Sequence, residues 1–299
     1  MIKPVGLTHG HYECRSFKDT IPILKGILAF EMVREADGNV IMKHPNTGWL
    51  LVVHEGGPHA PDKPRLNHYG VRVATNQEVD NAREYLLSKQ SEFGLVEVDK
   101  LQNRHLAHSV HFVEPGGNTW EIESYEMAVK VGLGANVSVP WTTPLAAERF
   151  PGKGFIPQAL THGTITCLNL EASRNFYREV LGLEVVSPSR SVKPHYIKHP
   201  STPWYVVSLE KPAGERKLLT PLQRYTVTVE SREDVTAVHR WLKESGASVG
   251  LTDLGELEEN AEATAFILSD PDRNWWEVTS PVSAKLSNCS FTHAKLSKG

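Results

Sequence analysis

Histidine is the residue type in this chain whose distribution points most directly to chemistry. Nine of the 14 histidines lie within the first 150 residues. An imidazole binds divalent metals when neutral and can move protons near neutral pH. Glu121 adds a carboxylate between Trp120 and Ile122 in an apolar segment, where a buried charge requires a partner. These residue types predict imidazole and carboxylate chemistry in the first half of the chain.

The segments that must position these side chains occur twice, which indicates an internal repeat. Residues 7–10, LTHG, recur at 160–163, and residues 43–49, KHPNTGW, recur as KHPSTPW at 198–204. The WEI that contains Glu121 returns as WEV near the end of the second copy. We therefore divide the chain into a first domain (1–130), a linker (131–157), a second domain (158–282) and a tail (283–299).

The two copies differ in their histidines, and this difference predicts different functions for the two copies. Four histidines of the first copy have other residues at the matching positions of the second copy. In order, His54, His68, His105 and His111 correspond to Leu209, Arg224, Ala261 and Ile267. Chemistry that needs these imidazoles is therefore expected at a site built from the first copy.

The composition fits an ordinary globular protein, with 40% hydrophobic residues, 22% charged residues and a formal net charge of −3. This balance gives no reason to expect a nucleic acid or a membrane as a partner. Three cysteines are too few for a disulfide framework. The sequence has no apolar run long enough to span a membrane, and its start lacks a signal-peptide pattern. We expect a cytoplasmic protein.

Each copy is predicted to contain two modules with the order strand, helix, strand, strand, strand. In the second module, for example, the alternating Tyr69, Val71 and Val73 predict a strand. Asn76 is predicted to cap the helix that follows. Four modules of this kind make up the chain apart from the linker and the tail.

The second copy opens with a segment, residues 162–183, that has the pattern H-x6-N-L-E-x-S-x2-F-Y-x3-L-G-L. This pattern resembles the opening unit of the vicinal oxygen chelate superfamily, which includes glyoxalase I, bleomycin and fosfomycin resistance proteins, and type I extradiol ring-cleaving dioxygenases. The resemblance implies an α+β fold of two tandem domains. Each domain would contain two paired βαβββ modules that form a curled mixed sheet around a central cavity. Two tandem domains are the arrangement of the extradiol dioxygenases.

In this superfamily the metal ligands come from the first strand of one module, the first strand of its partner and the partner's last strand. In the first copy these places hold His9, His68 and Glu121, which the resemblance implies as the metal ligands. Two imidazoles and one carboxylate are the set that holds Fe²⁺ in many oxygenases. In the second copy one of the three places holds Arg224, a permanent cation that cannot bind a metal, so that site is expected to be degenerate.

Some relatives pair modules across domains, and the sequence leaves that arrangement open. His162 would then join His68 and Glu121, or His9 would join Glu277. The resemblance also implies catalytic roles for other histidines of the first copy. His54 would be the acid–base group that steadies oxygen, while His111, where the family usually has a tyrosine, and His105 would bond to the substrate.

The leading hypothesis is therefore an Fe²⁺-dependent extradiol-type dioxygenase that opens a catechol-like ring with O2, an oxidoreductase of aromatic catabolism. The alternatives are a glyoxalase-like lyase or isomerase, or a hydrolase, that uses Mn²⁺, Zn²⁺ or Ni²⁺, and a non-enzymatic protein that binds small molecules. We expect a small aromatic or other chelating substrate, O2 and further copies of the chain as partners. No residue is assigned to an organic cofactor.

Overall fold

A computed structural model describes residues 1–36, 38–60, 66–104, 106–130, 141–187, 195–261 and 263–281. His105, residues 131–140 of the expected linker and the expected tail lie outside the described residues. Within the part of the chain that the structure describes, no helix combines the length and the apolar composition needed to cross a membrane.

The first copy contains nine strands and three helices among its described residues. The strands are β1 (Gly6–Cys14), β2 (Glu31–Ala36), β3 (Asn39–Lys43), β4 (Leu50–Glu55), β5 (Tyr69–Arg72), β6 (Glu97–Val98), β7 (Gln102–Arg104), β8 (Ala107–Val113) and β9 (Thr119–Ser124). The helices are α1 (Phe17–Gly26), α2 (Asn76–Phe93) and α3 (Glu126–Lys130). The cap of α2 is Thr75, one residue before the expected Asn76, because the Thr75 side chain and the Glu78 side chain bond to each other's backbone N–H groups.

The second copy repeats this order. Its strands are β10 (Ala159–Cys167), β11 (Glu184–Val186), β12 (His195–Lys198), β13 (Tyr205–Glu210), β14 (Arg224–Thr228), β15 (Asp253–Leu254), β16 (Glu258–Glu259), β17 (Thr264–Ser269) and β18 (Trp275–Thr279). Its helices are α4 (Leu170–Asn175), which continues as a wider turn over Phe176–Val180, and α5 (Arg232–Ser245). Short 3₁₀ turns occur at Ala147–Arg149, Ala213–Glu215 and Gly246–Val249.

The strands form two mixed sheets of nine strands each, which confirms the predicted α+β class. The first sheet has the order β15-β17-β18-β14-β1-β4-β3-β2, with β16 beside β17. The second sheet has the order β11-β12-β13-β10-β5-β9-β8-β6, with β7 beside β8. Each sheet combines one module from each copy, because β1 pairs antiparallel with β14 and β10 pairs antiparallel with β5. This is the pairing across copies that the sequence leaves open.

The core between the sheets is centred on matching aromatic residues of the two copies. Trp49 and Trp204, which end the repeated KHP turns, stack face to face with ring centroids 3.7 Å apart. Tyr69 and Tyr225, at matching places in β5 and β14, pack beside them, and both tryptophans are almost fully buried. Large aromatic side chains in this arrangement bind the two sheets into one hydrophobic core.

Candidate metal centre

One row of residues on the second sheet brings the two copies together. His162 of β10 lies opposite Gly70 of β5, Gly70 lies beside Glu121 of β9, and Glu121 lies opposite His111 of β8. His68 precedes β5 by one residue, so its side chain lies on the same face as that of position 70. The row therefore collects three imidazoles and a carboxylate from four neighbouring positions of the sheet.

Gly70 allows the side chains on either side of it in the row, His162 and Glu121, to meet. A Cβ atom at position 70 would overlap Cε1 of the His162 ring, so any other residue here would displace that ring. With glycine at this point, His162 extends across β5 and approaches Glu121 directly. The absence of a side chain in one central strand therefore determines the position of one potential ligand.

Three atoms of this row form a compact triangle. His68 Nε2 and His162 Nε2 each lie 3.2 Å from Glu121 Oε2, and the two nitrogens are 3.3 Å apart. Two ligand atoms that lie about 2.1–2.3 Å from one ion at a right angle are about 3.0–3.3 Å apart. All three residues are less than one-tenth exposed. The spacing and the donor types therefore fit one divalent cation bound on one side by two imidazoles and a carboxylate.

His111 lies at the edge of this triangle and is a fourth potential ligand. Its Nε2 is 3.5 Å from Glu121 Oε1, and its ring packs edge to face against that of His68 with centroids 4.9 Å apart. His68, His111 and Glu121 also form a group whose ligand atoms all lie within 4.8 Å of one another. His111 is half-buried, so it can contact either an ion or a molecule bound beside the ion.

The charges of the row favour a cation between the imidazoles and the carboxylate. Burial alone would raise the pKa of Glu121, but His111, His162 and His68 outweigh it and hold that pKa well below its usual value. Burial would lower the pKa of His162, but Glu123 and Glu121 outweigh it and raise the pKa to about 9. A carboxylate that stays charged inside the protein stabilises positive charge at its neighbours.

A second carboxylate, that of Glu123, lies behind His162. Glu123 is not among the site residues predicted from the sequence. Glu123 Oε1 is 3.3 Å from His162 Nδ1, and Arg72 donates to the same oxygen from Nε at 2.9 Å and from Nη2. Glu123 and Arg72 are both almost fully buried. The sequence carried a signal for this pair, since Glu123 follows Glu121 on the same face of an apolar strand.

Aromatic side chains of the second copy line the other side of His162. The Tyr205 ring stacks on the His162 ring with centroids 5.7 Å apart, and Tyr196 stacks on Tyr205 at 4.7 Å. With Val207, these two tyrosines form a small apolar cluster separate from the main core. Tyr205 therefore lies between His162 and Tyr196 and packs against one face of a potential ligand.

The first sheet contains the matching row, but an ion pair is formed there. Arg224 takes the place of His68, and its Nε and Nη2 lie 2.8 and 2.7 Å from Glu277 Oε2. Thr226 takes the place of Gly70 and donates to Glu277 Oε1 at 3.2 Å. Burial, aided by the positive charge of Arg224, lowers the pKa of His9 to about 3. A guanidinium thus supplies the positive charge beside the carboxylate.

Two histidines that the sequence assigned to the site lie in the first sheet instead. His9 pairs with Thr226 in the register of β1 and β14. His54 of β4 lies 3.0 Å from His11 Nδ1 through its Nε2 and 2.5 Å from Asn39 Oδ1 through its Nδ1. The predicted ligand set is therefore corrected in one member: the structure brings His162, and not His9, to His68 and Glu121.

The physical reason for the correction is the pairing of modules across the two copies. It sends the whole first module, with His9 and His54, to the sheet that contains Arg224. His54 consequently has no place beside the triangle, and the acid–base role expected for it does not fit this geometry. His111 does lie at the triangle, while His105 lies outside the described residues.

Residues 159–278 match the family described as the Glyoxalase/Bleomycin resistance protein/Dioxygenase superfamily. The match covers the second copy, the copy whose sequence pattern resembles this superfamily. No curated protein matches the chain.

Solved structures extend the similarity over the full length. Glyoxalase I from Zea mays is 12% identical, with a TM-score of 0.56 and 92% of each chain covered. A mutant of the same enzyme is 11% identical, with a TM-score of 0.62 over 92% of each chain. A "putative dioxygenase" from Bacillus subtilis subsp. subtilis str. 168 is 13% identical, with a TM-score of 0.60 over 94% of this chain and 86% of the other. The chain therefore shares its fold with these structures over nearly its full length.

Proposed function

We propose that this protein is an Fe²⁺-dependent extradiol-type dioxygenase that cleaves a catechol-like aromatic ring with O2. The observation that carries the proposal is the triangle of His68 Nε2, His162 Nε2 and Glu121 Oε2, with sides of 3.2–3.3 Å. Two imidazoles and one carboxylate on one side of an ion are the donor set of many non-haem Fe²⁺ oxygenases. When bound, Fe²⁺ supplies open positions for two substrate oxygens and O2 and allows electrons to pass between them.

The residues around the triangle can orient a ligand and move a proton. Tyr205 lies between the rings of His162 and Tyr196 and thereby packs against one potential ligand. His111, half-buried at the opposite side of Glu121, can accept the proton of a substrate hydroxyl at Nε2 and return it later. A proton acceptor beside the ligands is what a ring with two adjacent hydroxyl groups requires.

Anaerobic reconstitution tests this proposal. Protein prepared without O2 and loaded with Fe²⁺ is expected to bind about one ion per chain and to consume O2 with members of a catechol panel, one O2 for each ring opened. His68→Ala is expected to weaken Fe²⁺ binding by more than about 100-fold, because loss of an outer partner alone weakens binding by about 10–100-fold. Turnover of a substrate by the metal-loaded protein in the absence of O2 would contradict the dioxygenase proposal.

A second candidate is a glyoxalase-like lyase or isomerase that uses Mn²⁺, Zn²⁺ or Ni²⁺, and one observation favours it. His111 Nε2 is close enough to Glu121 to be a fourth protein ligand, which would leave too few open positions for two substrate oxygens and O2. An ion that acts only as a Lewis acid needs fewer open positions. His111→Ala distinguishes the two candidates. A loss of both metal affinity and activity favours the second, whereas a loss of activity at unchanged metal affinity favours the dioxygenase.

His54→Gln tests which sheet holds the chemistry. Because His54 bonds to His11 and Asn39 in the first sheet, we expect Fe²⁺ affinity and oxygen uptake within about twofold of the wild type. The free energy of unfolding should fall by about 1 kcal/mol through the altered hydrogen bonds. Loss of oxygen uptake at unchanged stability would instead return His54 to the acid–base role expected from the sequence.

A further inference from the structure

The inference concerns Glu123, which lies two residues after Glu121 on β9 and is only 2% exposed. Glu121, Glu123 and His162 form a second group whose potential ligand atoms lie within 4.8 Å of one another. The two carboxylates, however, approach opposite nitrogens of one ring. Glu121 Oε2 lies 3.2 Å from His162 Nε2, and Glu123 Oε1 lies 3.3 Å from His162 Nδ1. The two nitrogens of an imidazole point away from each other, so one ion cannot use both.

Glu123 is held in this position by contacts on the side away from the triangle. Arg72 donates to Glu123 Oε1 from two nitrogens. Thr161 Oγ1 lies 3.2 Å from the same oxygen and 3.1 Å from both Gly70 O and His162 Nδ1, so its one proton has more than one acceptor within reach. The guanidinium of Arg72 also lies over the Tyr125 ring, 4.2 Å from its centroid. A buried Arg–Glu pair often adds little to stability after desolvation, so its presence directly behind one ligand indicates another use.

The first sheet contains no such pair at the matching positions. Thr228 stands in the place of Arg72, and Thr279 in the place of Glu123. In both sheets the hydroxyl of the preceding threonine faces Nδ1, with Thr8 2.8 Å from His9 and Thr161 3.1 Å from His162. In the first sheet the Thr8 hydroxyl also lies 2.7 Å from Thr228 Oγ1. The charged pair is therefore what the sheet with the triangle adds to this shared hydroxyl contact.

We propose that Glu123, held by Arg72, is a positioning residue that accepts a hydrogen bond from His162 Nδ1 and thereby directs the lone pair of Nε2 towards Glu121 and His68. The inference rests on the proposed function in one respect, that a divalent cation binds at this triangle. A carboxylate behind a ligating imidazole fixes its tautomer and its orientation and increases its basicity as a ligand. Because Glu121 and Glu123 belong to the same strand, β9 orients both sides of the His162 ring.

Affinity for Co²⁺ alone, measured by its absorption bands, tests the inference without any need for turnover. Glu123→Gln keeps an oxygen that can accept from Nδ1 but removes the charge, so we expect about 10-fold weaker binding. Glu123→Ala removes the acceptor, and we expect about 100-fold weaker binding. Thr279→Ala, the matched change in the first sheet, should leave affinity within about twofold of the wild type.

Two further measurements separate positioning from a merely structural role. In the Zn²⁺-loaded wild type, the His162 Nδ1–H proton should give a slowly exchanging NMR signal that disappears in Glu123→Ala. The double variant Arg72→Gln/Glu123→Gln has no unpaired guanidinium and should keep the weaker Co²⁺ binding of Glu123→Gln. Recovery of wild-type affinity in the double variant would show that the pair only balances charge, and would overturn the inference.

The result with His68→Ala distinguishes this inference from the proposed function. If His68→Ala weakens Co²⁺ binding and neither Glu123 variant does, the positioning role of Glu123 is overturned and the metal centre stands. If His68→Ala and His162→Ala both retain wild-type affinity, the metal centre itself is overturned, and the inference with it.

Discussion

The two sheets have the same strand order but differ at three positions of one row. In the second sheet the row contains His162, His68, Gly70, Glu121 and His111, and in the first sheet it contains His9, Arg224, Thr226, Glu277 and Ile267. A histidine and a glutamate are kept in both sheets. A guanidinium in the place of His68, threonine in the place of Gly70 and isoleucine in the place of His111 make an ion pair where the second sheet has a potential metal centre.

The two carboxylates obtain positive charge from different sources. Glu277 accepts from Arg224 Nε and from the Thr226 hydroxyl, and Arg224 Nη2 lies 2.7 Å from Glu277 Oε2. The Thr226 hydroxyl also lies 2.9 Å from His11 Nε2. Among the described residues, Glu121 has imidazoles at these distances, and their charge depends on protons or on a bound cation. The negative charge of Glu277 is therefore balanced without a metal, whereas a bound cation would balance the negative charge of Glu121.

The largest expected effect comes from removal of the guanidinium. Arg224→Met leaves Glu277 as an unpaired buried carboxylate, and we expect the free energy of unfolding to fall by about 3–5 kcal/mol in urea titrations. The double variant Arg224→Met/Glu277→Met removes both charges and should recover most of that loss. An equal loss in both variants would show that packing, rather than charge, makes the first sheet depend on Arg224.

Gly70→Ala is expected to have the next largest effect. A Cβ at this position would overlap the His162 ring, so His162 must leave the triangle. We expect metal affinity to fall by about 100-fold, or about 2.7 kcal/mol, in anaerobic titrations. Gly48→Ala is the matched control, because a Cβ there meets no atom within 4 Å. Unchanged affinity in Gly70→Ala would mean that His162 is not a ligand.

The smallest effect concerns pH in the metal-free protein. The folded-state pKa of about 9 for His162 lies above the unfolded value of about 6.5, so its contribution to stability is complete below pH 6.5 and is lost as the pH rises towards 9. The folded-state pKa of about 3 for His9 gives the opposite sign, since stability is lost as the pH falls from about 6.5 towards 3. Urea titrations of the metal-free protein across the two pH ranges should therefore show slopes of opposite sign.

Ring ¹⁵N chemical shifts of the two histidines check these charge states directly. His162 should remain doubly protonated through neutral pH, and His9 should remain neutral. Arg224→Met should raise the pKa of His9, because a positive charge near the ring is removed. If His162 and His9 both titrated near pH 6.5, the two histidines would have the same charge at neutral pH, which would contradict the difference described between the two sheets.

The sequence predicted the modules and part of the site because local patterns determine them. The alternation of apolar residues around Val71 and the turn residues between strands are local signals. His68, Glu121 and His111 all belong to the second module, and the structure brings them together. Residues within one module keep their relative places however the modules pair.

The exchange of His162 for His9 could not be predicted in the same way. Both first strands carry the same Leu-Thr-His-Gly segment, so nothing in the local sequence distinguishes which one lies beside β5. The choice depends on contacts between modules that are distant along the chain, such as the stack of Trp49 on Trp204. The Arg72–Glu123 pair was readable as two charges on buried strands, but its role depends on the same tertiary pairing.

The pairing of strands across the copies also bears on how such a chain could arise. Neither copy contains a whole sheet. A molecule of the first copy alone would need a second identical molecule to supply the strands that pair with β1 and β5. In that homodimer, His9 of one subunit would stand beside His68 and Glu121 of the other, in two equivalent centres. In the single polypeptide the two copies differ in sequence, so one centre contains Arg224 while the other contains His68 at the matching place.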